Sequence, residues 1–323
     1  MNIVWAIVLL FGGLAILWKS ADLLVGGAVR LAKRLGVSPL VIGLTVVAMG
    51  TSAPEMAAGI AAAVRGIGDI AIGDVYGSNI ANLALVGGLC AIIRPIGIQL
   101  RTLRREMPIM VLVALLLWPI LHNLYLSRPE GFALLAVFAG LIMLTVYTAQ
   151  KDKISGTEEQ RNKGTKEQKN KDAFFFAPLC FVIIGLAGLA LGADMTVRGA
   201  VFIGKQIGLS EAVIGLTIIA VGTSLPELVT CLVATVKKHH DISIGILVGS
   251  NIFNTLLVTG TAGTIRPFSL GQRLAEIDYW VMVIVSASFV LMALIGRRIS
   301  RINGALLLCG YVAYMIYLLV FSA

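Results

Sequence analysis

Long apolar runs, broken at intervals by short clusters of charge, proline or glycine, dominate the chain. A spanning helix needs about 20 apolar residues. The runs predict ten such helices, near 3–29, 38–64, 70–93, 107–125, 131–149, 174–200, 210–236, 242–265, 277–296 and 302–321. One stretch breaks the pattern: KDKISGTEEQRNKGTKEQKNKD (151–172) has mixed charge and no apolar face, and reads as a mobile linker. It leaves five helices in residues 1–150 and five in 174–323, with 151–173 between them. The first run, MNIVWAIVLLFGGLAILWK, lacks a basic leader and a clear cleavage site, so it reads as a span. The expected fold class is an all-α polytopic membrane protein.

Composition agrees with the pattern. Of 323 residues, 58% are hydrophobic and 13% charged, whereas a soluble domain carries roughly 25% charged residues. No room remains for a large soluble catalytic or regulatory domain, and nucleic-acid binding and disulfide scaffolds are excluded as classes. The four cysteines (Cys90, Cys180, Cys231, Cys309) are far apart in apolar context and read as packing residues. The net charge of +9 acquires meaning once it is placed by loop. With the N-terminus outside, 19 Lys and Arg fall in inside loops and 6 in outside loops. That bias puts both termini outside and the linker in the cytoplasm of a plasma-membrane protein.

Shifted by 172 residues, ADLLVGGAVRLAKRLGVSPLVIGLTVVAMGTSAPE (21–55) lies on ADMTVRGAVFIGKQIGLSEAVIGLTIIAVGTSLPE (193–227), with 20 of 35 positions identical. The register continues through DIAIGDVYGSNIAN (69–82) over DISIGILVGSNIFN (241–254), and Ile93-Arg94-Pro95 over Ile265-Arg266-Pro267. Five helices per half is an odd number, so the two copies enter the membrane from opposite sides. Inverted repeats of this kind are typical of transporters, whose halves rock about a site near the midplane.

Glu55 and Glu227 sit at equivalent positions inside these apolar helices. An ionised carboxylate there is costly unless it meets a cation, a partner or water. Thr51, Ser52 and Glu55 fall at i, i+1 and i+4 on one helix face, and Thr223, Ser224 and Glu227 repeat the set. Pro54 and Pro226 lack an N–H, and with Gly50 and Gly222 beside them the helices can break and turn backbone oxygens inward. Ser78 with Asn82, and Ser250 with Asn254, each add a hydroxyl and an amide. Two carboxylates among neutral oxygens suit Ca²⁺, which takes six to eight oxygen ligands, and the same oxygens suit Na⁺. No His or Cys lies in the motifs, which argues against Zn²⁺ or Cu⁺.

These motifs, 43-GLTVVAMGTSAPE-55 with 73-GDVYGSNIAN-82 and 215-GLTIIAVGTSLPE-227 with 245-GILVGSNIFN-254, resemble those of the cation/Ca²⁺ antiporter superfamily, in its prokaryotic sodium/calcium exchanger branch. The resemblance covers nearly the whole chain. It implies alternating access, with Na⁺ driving Ca²⁺ extrusion through clustered cation sub-sites. By position it implies side-chain ligands at Thr51, Ser52, Glu55, Ser78, Thr223, Ser224, Glu227 and Ser250. Asn82 and Asn254 would lie at the centre, and backbone carbonyls near Ala48 and Ala220 would complete the set. Helices 3–34 and 174–206 would be the moving gates. Several family members carry an acid where this chain has Asn254, and position 74 is Asp where the motif often has Asn.

No resident cofactor is expected, only the transported ions Ca²⁺ and Na⁺, with lipid as surroundings and a monomer as the working unit. A Ca²⁺/H⁺ antiporter on the same scaffold stays open, because two embedded glutamates can carry protons. A cation channel fits an inverted repeat within one chain poorly. An enzyme is not expected, since Ser52 and Ser224 have no His or Lys partner in the motifs. Asp74 reads equally as a pathway residue and as a solvated acid. Asp22 and Asp194 read as helix-end or gate residues, and His239 and His240 as a polar cytoplasmic turn.

Overall fold

The structure, a computed structural model, describes residues 2–162, 176–208 and 220–321. Its long elements are helices: α1 (Ile3–Leu35), α2 (Pro39–Thr51), α3 (Ala53–Arg65), α4 (Gly68–Ile93), α5 (Glu106–Leu121) and α6 (Arg128–Asn162). After the polar segment come α7 (Phe176–Gln206), the single turn α8 (Ala220–Thr223), α9 (Leu225–Val236), α10 (His240–Ile265), α11 (Leu274–Leu294) and α12 (Arg301–Phe321). Among the described residues seven helices are long and apolar enough to cross a membrane, eight if the bent pair α2–α3 counts as one span. The chain is thus an all-helical membrane protein.

Boundaries follow local chemistry. Asn2 caps α1 by accepting a hydrogen bond from Trp5 N at 2.9 Å. The helix then runs six residues past the end of its apolar run and one past the 34 that the resemblance implies, with Lys33 and Arg34 complementing its C-terminal dipole. Gly36, at φ 69, closes it in a left-handed conformation open to glycine at little cost. Helix α6 runs on to Asn162, into the segment expected to be linker. The rest of that segment (163–173) and positions 210–219 of the expected seventh helix lie outside the described residues.

Helices α4 and α10, which carry the GSN motifs, are the most enclosed, with 72% and 94% of their apolar windows buried against 22% for α1. Around them the two halves of the chain are tied reciprocally. Arg94 donates to Val236 O at the end of α9, and its repeat equivalent Arg266 donates to Val64 O near the end of α3, both at 3.3 Å. Gln99 donates to Asp241, while Gly271 N donates to the equivalent Asp69. Gly88 of α4 packs against Gly304 of α12, and the equivalent Gly260 of α10 against Gly131 of α6. A Cβ on Gly88 would lie 2.9 Å from Gly304 O, and one on Gly260 would lie 3.0 Å from Gly131 O. Two short antiparallel strand pairs add to the ties: β1 (Ile96–Gly97) with β4 (Arg298–Ile299), and β2 (Tyr125–Leu126) with β3 (Phe268–Ser269).

Helices α1 and α7 run antiparallel and pack closely along their length. A Cβ on Gly27 would sit 3.1 Å from Pro178 O and Val182 N; one on the equivalent Gly199 would sit 2.6 Å from Ala6 O and 2.7 Å from Leu10 N. Those partners are themselves equivalents, 172 residues apart. Gly13 and Gly192 bring the two backbones together between these points. Absent side chains allow this approach, as in membrane helix pairs generally.

Candidate functional site

The site begins where a helix fails. Pro54 is the second residue of α3, and its missing N–H would leave the Gly50 carbonyl without a helical donor; instead the chain turns and a new helix starts. The hinge residue Ser52 has φ −84 and ψ 11, and Ser224 before Pro226 has φ −86 and ψ 6. The repeated sequence therefore makes the same break twice, and α2 meets α3 at 46°. Glu55 and Glu227 both lie in the first turn of the restarted helix, where the open N–H groups favour negative charge. Further broadening comes from π-helical turns at Ala81–Val86 and Asn254–Val258, which take in Asn82 and Asn254.

Ser52, Glu55, Asn82, Glu227, Ser250 and Asn254 are fully enclosed at 0% exposure, and Thr51, Ser78 and Ser224 are also buried. Thr223 is half-buried, and Ala220 is the first described residue of α8. Ser52 Oγ donates to Glu227 Oε1 across the two halves at 2.8 Å, and Ser250 Oγ reaches the same oxygen at 3.5 Å. Glu55 is held differently. Among the described residues neither of its carboxylate oxygens has a hydrogen-bond partner. The buried Ala48 carbonyl accepts Ser52 N at 3.0 Å and Thr51 Oγ1 at 3.2 Å, so it takes its bonds from within the chain.

The unsatisfied atoms cluster by type. Glu55 Oε1 and Oε2, Glu227 Oε2, Asn82 Oδ1, Asn254 Oδ1 and Nδ2, and Ser224 Oγ are all buried without a partner among the described residues. Buried polar groups are normally paired, because leaving one unmade costs about 1–3 kcal/mol, more when charged. A set made almost wholly of acceptors and hydroxyls, at the broken middle of two helices, has the chemistry of a hard-cation site. Among the described residues no group of three His, Cys, Asp or Glu forms a metal cluster. Such a cation would rest on two carboxylates and neutral oxygens rather than on a carboxylate cage.

Asn79 and Asn251 escaped the reading of the sequence. Asn79 Nδ2 donates to Thr255 Oγ1 at 2.8 Å, and Asn82 Nδ2 donates to Asn251 Oδ1 at 3.4 Å, so amides of α4 and α10 bridge the halves beside the glutamates. Each also lies against a methionine of the opposite half: Asn79 on Met282, Asn251 on Met110. The signal was present, since both GSN motifs place an Asn directly after the Ser. Asp22 pairs with Lys237 at the end of α9, and Asp194 pairs with Arg198 on its own helix at 2.8 Å. Both acids lie away from the buried cluster.

Comparison with known proteins bears on this arrangement. The profile of the family described as sodium/calcium exchanger protein matches residues 5–147 and 177–320. A candidate antiporter, CaxA of Alkalimonas amylolytica, is 40% identical over 95% of this chain and 96% of its own. The sodium/calcium exchanger MaX1 of Methanosarcina acetivorans is 31% identical over 95% and 96%. Among solved structures, the sodium-calcium exchanger NCX_Mj soaked with zero Na⁺ and Ca²⁺ superposes with a TM-score of 0.83 at 29% identity, covering 98% of this chain and all of the other. Broken helices, paired buried glutamates and matched profile together make this chain a member of the sodium/calcium exchanger family of cation antiporters.

Proposed function

We propose that the chain is a ten-span secondary antiporter that exchanges Na⁺ for Ca²⁺ across the plasma membrane by alternating access. The observation that carries the reading is the pair of fully buried glutamates, Glu55 and Glu227, at equivalent breaks and amid unsatisfied oxygens. Two negative charges neutralise one Ca²⁺. The hydroxyls of Thr51, Ser52, Ser78, Thr223, Ser224 and Ser250, the amides of Asn82 and Asn254, and carbonyls near Ala48 and Ala220 replace its water shell. When Ca²⁺ leaves, Na⁺ ions occupy hydroxyl-lined sub-sites around the same carboxylates. Each filled state hides its charge from the bilayer and each empty one does not, which couples the two fluxes.

Inverted topology is supported by the antiparallel packing of the equivalent helices α1 and α7 and by the exchanged glycine contacts across them. The ten-span count adds α5 and the segment that carries α8 and α9 to the eight spans above. Both termini then lie outside, so the turn bearing Arg65 is external and that bearing Lys237 is cytoplasmic. A monomer contains the whole site.

The test is uptake of radiolabelled Ca²⁺ by proteoliposomes loaded with Na⁺, beside vesicles loaded with K⁺ and given an outward proton gradient. Uptake that requires internal Na⁺ is expected. Uptake driven by the proton gradient alone would instead make the glutamates proton carriers, and absence of uptake in both would overturn Ca²⁺ as substrate.

A further inference from the structure

Asp74 breaks the symmetry of the site. It lies on α4 one turn before Ser78 and two turns before Asn82, so the three share a helix face. Its equivalent in the other half is Ile246, which is fully buried. A solvated acid at a helix mouth would turn both oxygens outward or hold a basic partner. Asp74 is instead half-buried: its Oδ2 is shielded and has no hydrogen-bond partner among the described residues, where no ion pair to it forms either. Shielding one oxygen of a carboxylate without a partner is costly.

The neighbouring group points to a ligand independently. Glu55 is enclosed, neither of its oxygens has a hydrogen-bond partner among the described residues, and its helix α3 packs against α4, which bears Asp74. Two acids whose fields overlap with no cation between them repel, and a cation passing between them removes both penalties. Asp74 lies nearer the Gly68 end of α4, which adjoins the Arg65 turn, than Ser78 does. It therefore stands between that face and the central cluster.

We propose that Asp74 is a third carboxylate of the cation path, forming with Glu55 and Ser78 a staging site for Ca²⁺ that serves the Arg65 face alone. Among the described residues, the path toward the Lys237 face has apolar Ile246 at the matching position. The inference rests on the Ca²⁺ antiport proposed above and deepens it: the two access routes differ in charge although the repeats are alike.

The experiment is sided Ca²⁺ exchange in right-side-out and inside-out membrane vesicles containing the full-length wild type, Asp74→Asn or Asp74→Glu. Half-saturation for Ca²⁺ at the Arg65 face is expected to rise about tenfold in Asp74→Asn, as the loss of one nearby charge predicts. At the Lys237 face it should stay within about twofold. Asp74→Glu should hold the wild-type sidedness. The Asn effect should shrink as choline chloride is raised, since the lost term is electrostatic. An equal change at both faces, or none, would overturn the staging site while leaving the antiport reading intact; wild-type vesicles without Ca²⁺ exchange would sink that reading first. Should Asp74→Asn fail to accumulate, Asp74→Ser gives the same comparison.

Discussion

Glu227 has one carboxylate oxygen anchored by Ser52 and Ser250, whereas the Glu55 carboxylate has no hydrogen bond among the described residues. An anchored acid keeps its geometry when a cation departs, and a free one can swing to follow it. Removing either charge leaves a single carboxylate facing a divalent ion. Glu55→Gln and Glu227→Gln are each expected to abolish Ca²⁺ exchange in proteoliposomes, and normal exchange by either would refute the site. The Asn79–Thr255 bridge acts on stability instead. Asn79→Ala and Thr255→Val should each lower the stability of the purified protein by about 1 kcal/mol. In a double-mutant cycle read by thermal melting, the two losses should fail to add; additive losses would mean that the amide and hydroxyl act separately. Much at this scale was legible: a Glu in an apolar run has no bland explanation, and hydroxyls at i, i+1 and i+4 share its face. Asn79 was less so, because spacing within α4 puts it off the Ser78–Asn82 face and only the fold shows Thr255 opposite. The unequal holding of the two glutamates could not be read from near-identical motifs.

At the scale of elements, the proline breaks and the small-residue seam have different consequences. Pro54 and Pro226 were enough to foresee interrupted helices, because a missing donor is a local fact about the chain. The reach of α1 to Leu35 was harder to see, since Arg30, Lys33 and Arg34 look like loop residues but extend the last turns as a polar tip. The α1–α7 seam is set by backbone approach. Gly199→Val puts bulk where a Cβ would already sit 2.6 Å from Ala6 O. Overpacking of about 1–3 kcal/mol is expected, with a lowered melting temperature and slower exchange. Gly140→Val is the control, as a Cβ there meets nothing within 4 Å and should leave both unchanged.

For the whole molecule, orientation is the first thing to test. Cysteines placed at exposed Arg128 and exposed Arg297 lie on opposite faces in the proposed topology. In intact cells a membrane-impermeant maleimide should label Arg128→Cys above the wild-type background, and should label Arg297→Cys only after permeabilisation. The reverse pattern would invert the topology, and equal labelling would break the span count. The repeat itself was plain in the sequence, as a shift of 172 residues. Such a shift reveals which positions are equivalent, not which ones touch. That Arg94 would grip Val236, or Gly88 meet Gly304, depends on how two copies interlock, and no alignment of one half on the other contains it.

That interlocking constrains how the protein comes into being. Gly88 of α4 finds its close partner at Gly304, more than two hundred residues later in synthesis, and Arg94 waits for Val236. Helices of the first half can enter the bilayer as they are made, but the face of α4 that meets Gly304 remains uncovered until α12 leaves the ribosome. Maturation in the membrane is therefore a late, concerted event, and a chain truncated before α12 would present an open groove to the machinery that degrades orphaned membrane segments.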